Sequence, residues 1–211
     1  MQGLSAQMLL SGYAQGIFPM AESREARELY WFDPQLRGVI PLQKFHISRS
    51  LARVIRRETF TISTNAAFRA VVEGCADRPE TWINAPLVAL YDELHAAGYA
   101  HSLEVWKGGE LAGGIFGITL GAAFFGESMF SRVTDASKVA LAYTVDRLTQ
   151  AGFRLFDTQY LTPHLASLGG VEIPRLEYRR QLARALERPA EFTAPAVPSP
   201  QSILQRMTQT S

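Results

Sequence analysis

Hydrophobic residues recur along this chain in two rhythms, and the switch between them outlines its architecture. From Ala100 onward, apolar side chains crowd three β-like segments, Ala100–Trp106, Leu111–Leu120 and Ala122–Phe130. Lys107-Gly-Gly-Glu110 and Gly121 part them, and glycine-bearing breaks between such runs predict an antiparallel meander. Ser137 to Gln150 changes to a helical period closed by Gly152, Phe153–Gln159 returns to a strand, and Thr162-Pro163 opens a short helix. Upstream, Asn84 and Pro86 start a helix whose apolar stripe is Leu87, Leu90, Tyr91 and Leu94, with Gly98 as its stop. Pro174 to Glu187 reads as the last well-formed helix. Pro189 to Ser211, rich in Pro, Ser, Thr and Gln, is expected to be a loosely ordered tail.

The first eighty residues are more mixed. Leu4 to Gln15 has a helical face (Leu4, Met8, Tyr13) that Gly16 ends, followed by an apolar loop to Met20. A charged stretch from Glu22 to Glu28 leads into an aromatic loop, Tyr30-Trp-Phe-Asp-Pro34. Gly38–Leu42 is a short strand that Pro41 would place at a sheet edge. Ser48 caps a helix to Arg57, Thr59–Ser63 is β-like, and Asn65 is expected to cap a helix through Val72. The pattern predicts an α+β fold with no internal repeats. Its expected divisions are a small mixed N-terminal domain over 1–80, a regular sheet domain over 81–188 and a tail over 189–211.

At 211 residues, 47% hydrophobic and 19% charged, the chain has the make-up of an ordinary globular protein with a sizeable core. Its net charge of +1 means that any nucleic-acid contact comes from a local patch. Such a patch exists on the helix carrying Arg49, Arg53, Arg56 and Arg57, which is either a phosphate-binding face or a solvated one. Cys75 is the only cysteine, which excludes an internal disulfide and fits a reducing compartment. No apolar run is long enough to span a bilayer, and the N-terminus lacks a signal-peptide pattern, so a cytoplasmic location is expected.

The composition conflicts with burial at one place. Gly126-Glu127-Ser128 interrupts an apolar strand, and Asp157-Thr-Gln159 ends another. An unpaired buried carboxylate costs several kcal/mol, so Glu127 and Asp157 need partners or a function. Asp157 and Gln159 should share one strand face, as should Phe125, Glu127 and Met129 if the pleat is regular. Such a cluster can orient an amine and accept its proton; alternatively the two acids pair with Arg132, Lys138 or Arg154. The four histidines (His46, His95, His101, His164) lack metal-ligand spacing, so no metal is expected, and Cys75 has no nucleophile signature. Ser128 lacks the second glycine of a nucleophile elbow. The glycines from Gly113 to Gly117 match neither a Walker nor a dinucleotide fingerprint, and no organic cofactor is implied.

A series of segments in order resembles the bacterial leucyl/phenylalanyl-tRNA–protein transferase family. They are Tyr13–Pro19, Trp31–Val39, Phe45–Ser50, Val72–Ala76, Thr81–Ile83, Leu94-His95, Gly98–Trp106, Gly113-Gly114, Gly126–Ser131, Asp135–Lys138, Asp157–Gln159, His164–Gly169 and Glu172–Arg175. The resemblance implies transfer of leucine, less readily phenylalanine or methionine, from aminoacyl-tRNA to the α-amine of proteins beginning with Arg or Lys, marking them for N-degron proteolysis. It also implies an acetyltransferase-like (GNAT) C-terminal domain. By matching positions, Glu127, Asp157 and Gln159 would form the catalytic polar centre. Ile115, Phe124, Phe125, Met129 and Thr144 would line the donor aminoacyl pocket, with Trp82 and Met20 against the terminal adenosine. Met20 stands where the family has an aromatic, and Phe125 and Thr144 differ in size from common family residues. The alternatives are a related transferase acting on acidic N-termini, an acyl-CoA N-acetyltransferase, and a non-catalytic tRNA-binding module.

Overall fold

The structure, a computed structural model, describes residues 4–26, 28–45 and 47–209; His46 and the first three residues lie outside that set. Nine strands and eight α-helices are present among the described residues. The strands are β1 (Phe18–Ala21), β2 (Leu29–Phe32), β3 (Leu36–Val39), β4 (Thr61–Thr64), β5 (Ala100–Lys107), β6 (Glu110–Leu120), β7 (Ala123–Ser131), β8 (Leu155–Gln159) and β9 (Val171–Pro174). The helices are α1 (Ala6–Ala14), α2 (Arg49–Arg56), α3 (Phe68–Ala76), α4 (Ala85–Ala96), α5 (Ala136–Gln150), α6 (Pro163–Ser167), α7 (Arg175–Leu186) and α8 (Pro200–Gln209). None of these helices is long and apolar enough to cross a membrane.

Seven strands form one mixed sheet in the order β4-β5-β6-β7-β8-β3-β9, and β1 pairs with β2 in a separate hairpin. The meander β5-β6-β7 is antiparallel, as the glycine breaks predict. β8 then lies parallel to β7, which requires a long crossover, and α5 supplies it. Because strand side chains alternate, the sheet feeds two cores, with Ile115 in one and its neighbour Phe116 in the other. One core is built with α1, α3, α4 and α7, the other with α2, α5 and α8. Side-chain caps predicted from sequence are in place: Ser48 accepts from the Leu51 amide, Asn84 from Leu87 and Thr162 from Leu165.

Several expectations differ from this architecture. The sheet runs across the boundary expected near residue 80, because β3 pairs with β8 and β4 with β5. The apolar loop after Gly16 and the aromatic loop are strands, paired Phe18 to Phe32 and Met20 to Tyr30, since each supplies the other's ladder partner. β3 is interior rather than an edge, and Pro41 falls beyond its last rung; β9 takes the edge. Asn65 adopts a left-handed backbone and spends its side chain on the Ser102 amide and on His101, so it does not cap α3.

The segment expected to be a loose tail is packed. Phe192 is buried, stacked between His101 and Phe124, and its carbonyl accepts from Arg147. In α8, Ile203, Leu204 and Met207 enter the second core, and Arg206 makes a bidentate pair with buried Asp146 at 2.7 and 2.8 Å. Few but well-spaced apolar residues outweigh the segment's polar composition.

Candidate functional site

The site forms where two neighbouring strands stop pairing. The parallel ladder between β7 and β8 ends at Phe125↔Asp157, although β7 continues to Ser131. Each strand is also irregular there. Against β6, Phe116 pairs with Ser128 and Gly117 with Gly126, so Glu127 is an extra residue in β7. Against β3, Gly38 pairs with Gln159 and Val39 with Asp157, so Thr158 is an extra residue in β8. Bulges of this kind bend a strand and re-aim its side chains. Between them opens a cleft of about 390 Å³. Gly126 is required on its wall, because a Cβ there would meet the Phe156 ring at 2.7 Å.

The bulge also changes which residues share a face. Glu127 and Phe125 lie on the Tyr13 side, as alternation predicts, but Met129 turns into the opposite core beside its cross-strand neighbour Ile115. The expected face of Phe125, Glu127 and Met129 is therefore split. That split places an apolar slot of Ile115, Met129, Leu141, Phe156 and Leu165 against the polar groups of Glu127 and Gln159 in one cleft.

Glu127 is buried and held by three donors. The Tyr13 hydroxyl reaches Oε1 at 2.7 Å, the Tyr91 hydroxyl reaches Oε2 at 2.8 Å, and the Gln159 side-chain amide donates to Oε1 at 3.3 Å. Burial pushes its carboxyl up to about 7, against the phenol hydrogen bonds that hold it down. Both phenols are held well above their ordinary value by burial and by the Glu127 charge, so they remain donors.

Asp157 belongs to an adjoining buried network rather than to the cleft wall. Arg37 grips it bidentately at 2.9 and 2.7 Å, and Tyr178 donates at 2.8 Å. Arg37 is buried as well, sandwiched over the rings of Phe18 and Tyr178 and donating to the Gly16 carbonyl. Asp157 also accepts the Gln159 backbone N–H at 2.8 Å. Gln159 sits at φ 59°, a left-handed backbone that costs on the order of 1–3 kcal/mol for a non-glycine residue. The Asp157 carboxylate thus fixes the strained backbone of Gln159, while Glu127 fixes its side chain. The structural ion pair left open by the sequence is real for Asp157, but its partner is Arg37 and not Arg132, Lys138 or Arg154.

Other sequence-selected residues divide. Trp82 and Met20 both line the cleft, with Ile115 and Met129. Phe124, Phe125 and Thr144 do not. Phe124 packs on Phe156 and Phe192, Phe125 on Tyr13, and the Thr144 hydroxyl donates back to the Ala140 carbonyl within α5. Arg49, Arg53, Arg56 and Arg57 are exposed on and just after α2, away from the cleft wall. His95 and His101 stack on Phe68 and Phe192, while His164 lines the cleft. Burial raises the Cys75 thiol to about 12, leaving it inert as expected.

Residue types and spacing alone do not single out Arg37, Tyr13, Tyr91 and Tyr178, whose distance in sequence from the two acids hides their contacts. The signal available was the need of two buried carboxylates for donors. In chemical terms the cleft offers a fixed amide oxygen on Gln159 beside a slot for an apolar side chain, an arrangement able to hold an amine against an acyl group.

Comparison with known proteins places this geometry in context. A family model described as leucyl/phenylalanyl-tRNA protein transferase matches residues 39–183, and the model of that transferase's N-terminal domain matches residues 3–35. Proteins named leucyl/phenylalanyl-tRNA–protein transferase from Ruegeria pomeroyi and Ruegeria sp. (strain TM1040) are 62% and 61% identical over 208 residues, covering 99% of this chain and 99% of each relative. Among solved structures, the crystal structure of FemX aligns with TM-score 0.53 and 11% identity over 79% of this chain and 66% of that chain, a likeness of fold alone.

Proposed function

The chain belongs to the leucyl/phenylalanyl-tRNA–protein transferase family and is an aminoacyltransferase, and from that premise we propose how its cleft works and on what. The donor is an aminoacyl-tRNA carrying leucine, less readily phenylalanine or methionine. The acceptor is the α-amine of a protein beginning with Arg or Lys, and the product is an N-degron. The observation that carries this reading is the Gln159 amide, held by Glu127 at 3.3 Å beside the slot of Ile115, Met129, Leu141 and Phe156. We further read the β7–α5–β8 crossover with its opened ladder as an acetyltransferase-like arrangement.

In this reading the donor's side chain enters the apolar slot and its terminal adenosine rests on Trp82 and Met20. In its ionised form the Glu127 carboxylate only accepts, so Gln159 presents its NH2 to it, as it does at 3.3 Å, which leaves the Gln159 carbonyl oxygen to accept from the incoming amine. The amine nitrogen attacks the ester carbonyl, the bond from that carbon to the ribose oxygen breaks, and the peptide bond forms. The proton lost by the amine passes to the departing ribose oxygen. An α-amine with pKa near 8 is partly neutral at pH 7. An activated ester and a positioned amine need no covalent intermediate, and positioning supplies much of the acceleration. Asp157 acts as a positioning residue through the Gln159 backbone. A slot reading apolar shape discriminates by only about 1–3 kcal/mol per methylene, which fits a relaxed donor range. Arg49, Arg53, Arg56 and Arg57 would meet the RNA backbone, making affinity salt-dependent.

The deciding assay offers labelled leucyl-tRNA with peptides beginning with Arg, Lys, Asp or Glu. Transfer to the Arg and Lys peptides is expected. Transfer to the acidic peptides alone, or binding of the tRNA without transfer to any, would overturn the proposal.

A further inference from the structure

Besides the polar centre, the cleft holds a guanidinium with no assigned purpose. Arg78 lies between α3 and α4, shortly before Trp82, and both side chains line the cleft. It is the one Arg or Lys among the described lining residues, and among the described residues it has no carboxylate partner. Its Nε donates to the Cys75 carbonyl of α3 at 2.8 Å and its Nη2 to the Ser128 hydroxyl of β7 at 2.6 Å, so the group is held from two elements. The backbone is pinned too, since Arg24 donates to the carbonyls of Ala76 and Arg78. A guanidinium has five N–H donors, and these bonds leave several uncommitted. An oriented guanidinium with spare donors and no ion-pair partner is suited to a phosphate.

We propose that Arg78 binds the phosphate joining the donor's terminal adenosine to the preceding nucleotide. The inference rests on the reading of the cleft as an aminoacyl-tRNA site: an adenosine on Trp82 carries that phosphate one ribose away, towards a side chain of the same connecting segment. Ser128, on the bulged strand, holds the guanidinium in place.

The test compares two minimal donors, leucyl-adenosine and leucyl-adenosine 5′-phosphate, with an Arg-initiated peptide as acceptor. The wild-type protein should use the phosphorylated donor roughly tenfold better in kcat/KM, chiefly through KM. In Arg78→Ala that ratio should fall to about one, and Arg78→Lys should restore part of it. Because the ratio is taken within each variant, a general loss of folding or turnover cancels. A ratio unchanged by Arg78→Ala, in a protein that transfers leucine, overturns this inference alone. A wild-type protein that transfers from neither donor nor from leucyl-tRNA overturns the reading of the cleft and this inference with it.

Discussion

Glu127 and Asp157 are both buried acids at the end of a strand ladder, yet their surroundings give them different duties. Burial lifts the Glu127 carboxyl to about 7, so the folded protein binds its proton more tightly than the unfolded chain does. Stability from this group is therefore greatest below the unfolded value near 4.5 and declines as pH rises through 7, by an amount on the order of 3 kcal/mol. Glu127→Gln should remove that decline, which thermal unfolding followed from pH 5 to 8 would detect as a flatter Tm profile. The same substitution should abolish a rise in transfer rate near pH 7 while leaving the rise near pH 8 that belongs to the acceptor amine. A profile retaining both inflections would separate Glu127 from the reaction. For Asp157 the main consequence is structural as well as functional. Asp157→Ala strands the buried Arg37 guanidinium, and breaking such a pair costs about 3–5 kcal/mol. A fall in Tm of roughly ten degrees is expected for a chain of this size. Asp157→Asn, which keeps an acceptor for the Gln159 amide, should recover more activity than Asp157→Ala.

Two bulges make one strand pair into a cleft, and the glycine between them is the element's weak point. In Gly126→Ala the new methyl must displace the Phe156 ring or the β7 backbone, so turnover should fall while the meander persists. Circular dichroism close to wild type together with at least a tenfold lower kcat/KM is the expected pair of results; full activity would mean the bulge has slack. Met129, swung into the slot by the bulge, is a determinant of donor choice in the proposed reading. Met129→Ala should shift the Leu-to-Phe ratio in a competition between the two charged tRNAs, and an unaltered ratio would remove it from the slot. For α2, reversing charge at Arg53 and Arg56 should weaken tRNA affinity and flatten its dependence on salt.

At the scale of the whole molecule, the C-terminal segment is part of the fold's closure. Phe192 stacks on His101 and Phe124, and the Arg206–Asp146 pair ties α8 to α5. Phe192→Ala should cost about 3–5 kcal/mol, as for other large aromatics removed from cores, and a chain ending at residue 189 should unfold at a markedly lower temperature. Equal melting of the truncated and full chains would return the segment to the loose tail its composition suggests.

The linear order of residues was enough for the meander, the caps at Ser48, Asn84 and Thr162, and the conspicuous acids on apolar strands, because these depend on local periodicity and nearby hydrogen bonds. The ordered motifs also carried the family, since so many matches in sequence do not arise from composition. What tertiary structure alone decided is long-range: that Arg37 neutralises Asp157, that Tyr13 and Tyr91 meet on Glu127, and that β3 and β4 complete the sheet. Register decided the rest. One extra residue at Glu127 sends Met129 into the slot, and regular alternation read along the chain has no means of locating that step. Pairing partners fix it, and they lie on other strands.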